Sequence, residues 1–280
     1  MNPRSRLPIL CILALSLISG AECPAAEQIR VTVTILPQAY FVERLAGPRA
    51  KVNVLIPKGA SPETYEPTPQ QLVALSESRL YIKVGAPGLP FEEEHLKTAA
   101  GRNPKMRIIN MTEGMAYREG DPHVWTSLVA ARLAARHIAA ALTVCAPASG
   151  EEFQKNLRGL LADIDSLDGE IRRAIGRMQG AAFMVYHPAW GYFAAEYGLV
   201  QLAVEEEGKP VNAAHIRRMV DLARAKGIRS LIVQKGFDAK SARAIAREIG
   251  GEVVEADPLE RDWLRGMKRF AALLTTAVRK

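Results

Sequence analysis

Two successive series of short β-branched runs, each run followed by an amphipathic stretch, restrict this chain more than any other feature. Alternating strand and helix signals are satisfied by βαβ units and parallel sheets. In the first series the predicted strands are Ile29 to Leu36, Val52 to Ile56, Leu80 to Val84 and Arg107 to Met111, and its last helix runs from near Ser127 to Val144. The second series repeats the plan with Ala182 to Tyr186, Val200 to Glu205, Ser230 to Gln234 and Glu252 to Ala256. Between the two lies Ser149 to Met178, with apolar residues at Phe153, Leu157, Leu160, Leu161, Ile164, Leu167, Ile171, Ile175 and Met178. Spacings of three and four predict one continuous helix, started by a capping box of Ser149 with Glu152 and stopped by Gly180. At 1.5 Å per residue it would run roughly 45 Å. The expected fold is α/β: two similar lobes with parallel sheets, 27–148 and 180–280, joined by one long rigid helix over 149–179, with a ligand site in the cleft between them. A stiff helix makes a poor hinge, so large lobe closure is not expected.

The first 26 residues read as an export signal. Arg4 and Arg6 precede an apolar run from Leu7 to Ile18, and small residues follow at Ser19, Gly20, Ala21, Ala25 and Ala26. That run is too short to span a bilayer, and no second long apolar stretch is read after it, so a soluble periplasmic or otherwise extracytoplasmic protein is expected. Cys23 invites a lipid anchor, but Glu22 stands where a lipid-attachment signal wants a small side chain. With Cys11 and Cys23 in or near the signal, Cys145 is a lone thiol and cannot close an internal disulfide. The formal net charge of +7 comes from dispersed basic residues without interleaved aromatics. Such a distribution argues against nucleic acid and fits an exported protein near an anionic membrane surface; a monomer is expected.

Ligands of doubly wound sheets bind beyond the carboxyl ends of the strands, and metal-capable side chains gather there. Glu63 lies in Pro-Glu-Thr-Tyr-Glu-Pro (Pro62 to Pro67) after the second strand, and His123 in Asp121-Pro122-His123 after the fourth. His187 ends the strand Ala-Phe-Met-Val-Tyr, and Asp257 ends Val-Val-Glu-Ala. Nearby prolines limit backbone freedom around each of them. Taken singly, either histidine is a hydrogen-bonded loop residue, Glu63 a solvated carboxylate, and Asp257 an N-cap of the last helix. Taken together, two candidates per lobe make a four-ligand metal site. His95 sits in a charged run, His137 lies mid-helix among alanines, and His215 starts a helix after Asn212; none of these is expected to bind metal.

The blocks Ile35-Leu36-Pro37-Gln38-Ala39-Tyr40-Phe41, Gly59 to Pro69, Asp121-Pro122-His123-Val124-Trp125, Tyr186 to Phe193 and Ala256-Asp257-Pro258-Leu259 follow one another across nearly the whole chain. In kind and order they resemble the zinc- and manganese-binding solute-binding proteins of ABC importers. The resemblance implies two lobes joined by a long helix, one metal in the cleft and handover to a membrane permease. It also implies that His123, His187 and Asp257 are the second, third and fourth ligands. The first departs: Glu63 stands where the family usually has histidine. Glutamate can still bind zinc through oxygen; otherwise water or Glu66 fills that place. A His-rich loop before the second ligand, frequent in zinc-specific members, is absent from Thr112 to Gly120. Zinc is the expected cargo, with manganese or iron(II) the alternatives. An enzyme is not expected. A zinc-dependent hydrolase would need an open coordination position and a general base, and no HExxH pattern occurs. A binder of an organic solute would instead use Trp125, Trp190 and Tyr192 to enclose it.

Overall fold

The computed structural model describes residues 28–205, 212–234 and 239–277; the export signal and Cys23 lie outside them. Strands β1 (Ile29–Val33), β2 (Ala50–Val54), β3 (Leu80–Lys83) and β4 (Arg107–Asn110) form one sheet in the order β2-β1-β3-β4. Strands β5 (Ala182–Val185), β6 (Val200–Ala203), β7 (Ser230–Val233) and β8 (Glu252–Glu255) form the other, β6-β5-β7-β8. All pairings are parallel, so both sheets carry their carboxyl ends on one edge. The helices are α1 (Leu36–Ala46), α2 (Pro69–Ser76), α3 (Leu96–Arg102), α4 (Leu128–Cys145), α5 (Gly150–Ile175), α6 (Gly191–Glu196), α7 (Ala213–Ala225), α8 (Ala239–Glu248) and α9 (Trp263–Ala277).

The two-lobe α/β plan holds, with local corrections. Strand β1 stops at Val33 rather than Leu36 because the Gln38 side chain folds back to accept the N–H groups of Thr34 and Ile35 at 2.9 and 3.0 Å. Pro37 then occupies the first turn of α1, where its missing N–H costs nothing. Helix α5 has 26 residues and ends at Ile175, before Met178. Its predicted capping box does not form: Ser149 closes a 3₁₀ turn, Pro147–Ser149, and makes no side-chain cap. Glu152 turns instead to Arg49 at 3.3 Å.

Helix α5 buries Phe153, Leu157, Leu160, Ile164, Leu167, Ile171 and Ile175, the expected stripe, against α1, α4 and α9. Helix α4, expected from near Ser127 to Val144, is also a second long apolar stretch that the sequence reading did not expect, enough to cross a membrane by length and composition. Its Leu128, Ala131, Ala135, Ile138 and Leu142 are buried, so it acts here as a core helix. The lobes are tied across this layer. Arg132 of α4 bonds Asp165 and Asp168 of α5 at 2.7 and 2.8 Å, and Tyr197 donates to Asp168 at 2.9 Å. Glu196 of α6 accepts from Ser127 and from Leu128 N at the positive start of α4.

Candidate metal centre

Each side chain of the site is fixed by a short local device. After β2, the N–H groups of Thr64 and Tyr65 both bond back to Ser61 O, at 3.2 and 3.0 Å, curling Pro62 to Tyr65 into a turn. The Ser61 hydroxyl donates to Glu63 Oε2, leaving Oε1 to point away from the turn. His123 starts a 3₁₀ turn, Val124–Thr126; its carbonyl accepts from Thr126 N and Oγ1 at 3.0 and 2.9 Å. Asp121 Oδ1 takes both the backbone N–H of His123 and its Nδ1, each at 3.0 Å. In the second lobe His187 follows β5, and Glu205 N bonds to Tyr186 O at 2.8 Å, extending the β5–β6 pairing. That register sets Glu205 Oε2 2.9 Å from His187 Nδ1. Gly191, at the start of α6, lets the second lobe approach: a Cβ there would lie 2.3 Å from Asp121 Oδ2.

Glu63, His123 and His187 converge. Glu63 Oε1 lies 2.8 Å from His123 Nε2 and 3.4 Å from His187 Nε2, and the two Nε2 atoms are 3.0 Å apart. Both histidines are buried, at 4 and 7 % exposure. A carboxylate only accepts, so Asp121 and Glu205 place a proton on each Nδ1 and leave each Nε2 with its lone pair directed inward. Buried Glu63 Oε1 adds a third, and no contact it makes has hydrogen-bond geometry. Three lone pairs facing one point repel unless a cation or a proton sits among them. In four-coordinate zinc, nitrogen and oxygen ligands at 2.0–2.1 Å stand about 3.4 Å apart. The observed separations therefore need only a small expansion to fit.

The electrostatics agree. Burial would lower the pKa of His187, but hydrogen bonding to Glu205 and the Glu63 carboxylate outweigh it and push the value up to about 9. Burial likewise opposes a charge on His123, yet Asp121 and Glu63 raise its pKa. Burial would raise Glu63, but the two imidazoles beside it hold it well below the usual carboxylate range. Without metal the cage favours protons at the point where a metal would go.

Asp257 does not join this set of atoms, which lie within 4.8 Å of one another. It is half-buried on the loop after β8, and its Oδ1 accepts the Leu259 N–H at 2.9 Å. It lines a cavity of about 280 Å³ with Lys58, Glu260 and Arg269. The N-cap reading of Asp257 is corrected: helix α9 begins at Trp263, and Asp262 accepts the Arg265 N–H. Glu66 is exposed and outside the cluster. His137 Nδ1 lies 3.1 Å from Met111 O, bracing α4 against β4, and Asn212 caps α7 through His215 N. His95 falls on the π-helical turn Phe91–His95. The aromatics serve packing. Trp190 stacks on Phe270 with centroids 3.5 Å apart, Tyr192 accepts from Arg118 N, and the Trp125 indole donates to Pro258 O. The sequence reading gave no role to Asp121 or Glu205. Asp121 was findable, two residues before a candidate ligand; Glu205 was not, since only the parallel register brings it to His187.

The sequence pattern of the family described as zinc-uptake complex component A, periplasmic, matches residues 31–277. The chain belongs to this family. Among solved structures, one titled as the crystal structure of ZnuA shares 35 % identity and superposes with a TM-score of 0.84, over 90 % of this chain and 99 % of that one. The Bacillus subtilis (strain 168) high-affinity zinc uptake system protein ZnuA is 23 % identical over 268 residues, 86 % of this chain and 82 % of its own length. The zinc-binding lipoprotein AdcA of Streptococcus pneumoniae (strain ATCC BAA-255 / R6) is 24 % identical over 282 residues, and the match spans 54 % of its length. Family members of this kind are solute-binding subunits of ABC importers, and the two-lobe fold with its long helix is theirs.

Proposed function

We propose that this protein captures one zinc ion between its lobes, using Glu63, His123, His187 and Asp257, and delivers it outside the cytoplasm to a membrane permease. The observation that carries this reading is the convergence of two imidazole Nε2 atoms and one carboxylate oxygen, with separations of 2.8, 3.0 and 3.4 Å, from opposite lobes. Each ring is backed by a carboxylate on its other nitrogen, the arrangement that fixes tautomer and orientation in zinc sites. Asp257 supplies a fourth donor once its side chain turns from its bond to Leu259 N–H toward the metal. Four protein ligands would close the shell and leave no position for a reacting water, which suits carriage rather than hydrolysis. The export signal read in the sequence and the family's description support a periplasmic location.

The test is a zinc titration of chelator-stripped protein against a chromophoric competitor. One equivalent should bind. His123→Ala and His187→Ala should each weaken binding by more than about a hundredfold, beyond the effect of losing an orienting partner, while His95→Ala changes little. Equal behaviour of all three variants would overturn the assignment.

A further inference from the structure

The first lobe's ligand turn is bonded directly to the second lobe's Asp257 loop through one buried indole. Trp125 stands two residues after His123 and its ring centroid is 5.1 Å from that imidazole. Its Nε1–H crosses the cleft to Pro258 O at 3.0 Å, on the residue following Asp257. The same turn is held from the other side, where Trp263 Nε1 donates to Trp125 O at 2.7 Å. Trp263 in turn packs on Phe41 of α1, with ring centroids 5.2 Å apart. Trp125 and Trp263 are 3 and 2 % exposed, and Leu259 beyond Asp257 is 4 % exposed. Both indole N–H groups are therefore spent on carbonyls in a dry layer, where a lost bond is not replaced by water.

From this geometry we infer that Trp125 is a positioning residue for zinc capture: it ties the Asp257 loop to the His123 turn, so that Asp257 closes the site only when that tie is intact. The inference rests on Asp257 as a ligand. Backbone held at Pro258 leaves the Asp257 side chain little more than rotation about its own bonds, exchanging its bond to Leu259 N–H for the metal. Loss of the indole N–H frees the loop to move with β8, and the carboxylate must then be ordered at each binding event, which weakens affinity without touching a ligand.

A double-mutant cycle tests it. Trp125→Phe keeps an aromatic ring beside His123 and removes only the donor. It should weaken zinc binding about tenfold, the lower end for an outer partner of a metal site, and speed zinc release by a similar factor. Asp257→Ala should weaken binding more, and adding Trp125→Phe to Asp257→Ala should change affinity by less than about twofold, because residues acting through one group are not additive. Trp263→Phe, read in the same cycle, should act with the same sign and less strongly, and it serves if Trp125→Phe does not fold. Three results overturn the inference. If Asp257→Ala leaves affinity unchanged, the inference falls together with the fourth ligand, while the histidine variants still test zinc capture. If Asp257→Ala weakens binding and Trp125→Phe does not, the inference falls alone. If Trp125→Phe weakens binding equally in both backgrounds, it acts through His123 and the inference also falls.

Discussion

The two lobes share one strand order but not one manner of packing. In the first, Val31, Val33, Leu80, Tyr81 and Ile82 from both faces of the sheet belong to a core continuous with α4, α5, α6 and α9. In the second, the sheet divides two cores. Phe183, Val185 and Ile232 face the shared core, while Met184, Leu231 and Val233 face a separate one under α7 and α8, with Val220, Ile245 and Ile249. Period-two alternation along β5 and β7 makes the division. His187 lies just beyond β5, next to Ala189 and Trp190 of the shared core. Asp257 follows β8, between Ala256 and Leu259, which pack with the shared core, and its loop is bonded to the first lobe through the indole of Trp125. All four ligand candidates thus border the shared core, but only Glu63, His123 and His187 converge, and Asp257 stands apart from them.

Core truncations should expose this difference most strongly. Leu160→Ala, in α5 beneath both lobes, is expected to cost about 2–5 kcal/mol and lower the unfolding transition of the whole protein. Ile245→Ala in α8 should cost a comparable amount, but raise amide exchange in α7, α8 and β8 while sparing the shared core. Denaturant unfolding with hydrogen exchange reads both, and identical exchange patterns would break the comparison.

The carboxylates behind the rings come next. Asp121→Asn in the first lobe and Glu205→Gln in the second should each weaken zinc by roughly 10–100-fold, since an amide can present N–H to Nδ1 and release the tautomer. Asp121 also holds the His123 backbone, so its variant should lose more. A larger loss at Glu205 would show that the second lobe's imidazole is the more dependent on its partner.

The pH response sharpens the same contrast. An ordinary histidine titrates near about 6.5, and two unperturbed ligands would stop competing with protons there. His187, pushed up to about 9, keeps its proton longer, so zinc affinity should continue to rise with pH toward about 9. For the metal-free protein the sign reverses. A raised folded-state pKa adds stability that is fully present below about 6.5 and is lost as pH rises through about 9. Glu63, lowered, adds stability present above about 4.3 that is lost as pH falls through its folded value. Melting curves of stripped and zinc-loaded protein between pH 6 and 9 should therefore diverge with rising pH; parallel curves would refute the cage.

The smallest expected effect is on metal choice. Glu63→His replaces a hard oxygen with a nitrogen and should widen the preference for zinc over manganese, which favours oxygen donors. Competition titrations with both metals read the ratio, and unchanged affinities would remove Glu63 from the site.

Much of this was legible in the residues. The alternation of strand and helix signals predicts both lobes, because each short run reports its own burial. The stripe from Phe153 to Ile175 predicts α5, since its spacing is local. The ligand candidates could be named because they stand at strand ends beside prolines. What local pattern does not encode is partnership across space. The capping box at Ser149 matched in sequence and failed in the fold, where Arg49 drew Glu152 away. Glu205 meets His187 only because β5 and β6 pair in a particular register, and the split of the second lobe into two cores follows from which helices cover which face. Separations of about 3 Å between Glu63, His123 and His187, which stand 60 to 124 positions apart in the chain, arise only when the chain between them is folded away. Distances of that kind are set by packing of whole elements, so the chain announced which side chains could hold a metal, and only the assembled lobes brought three of them to one point and left Asp257 at its edge.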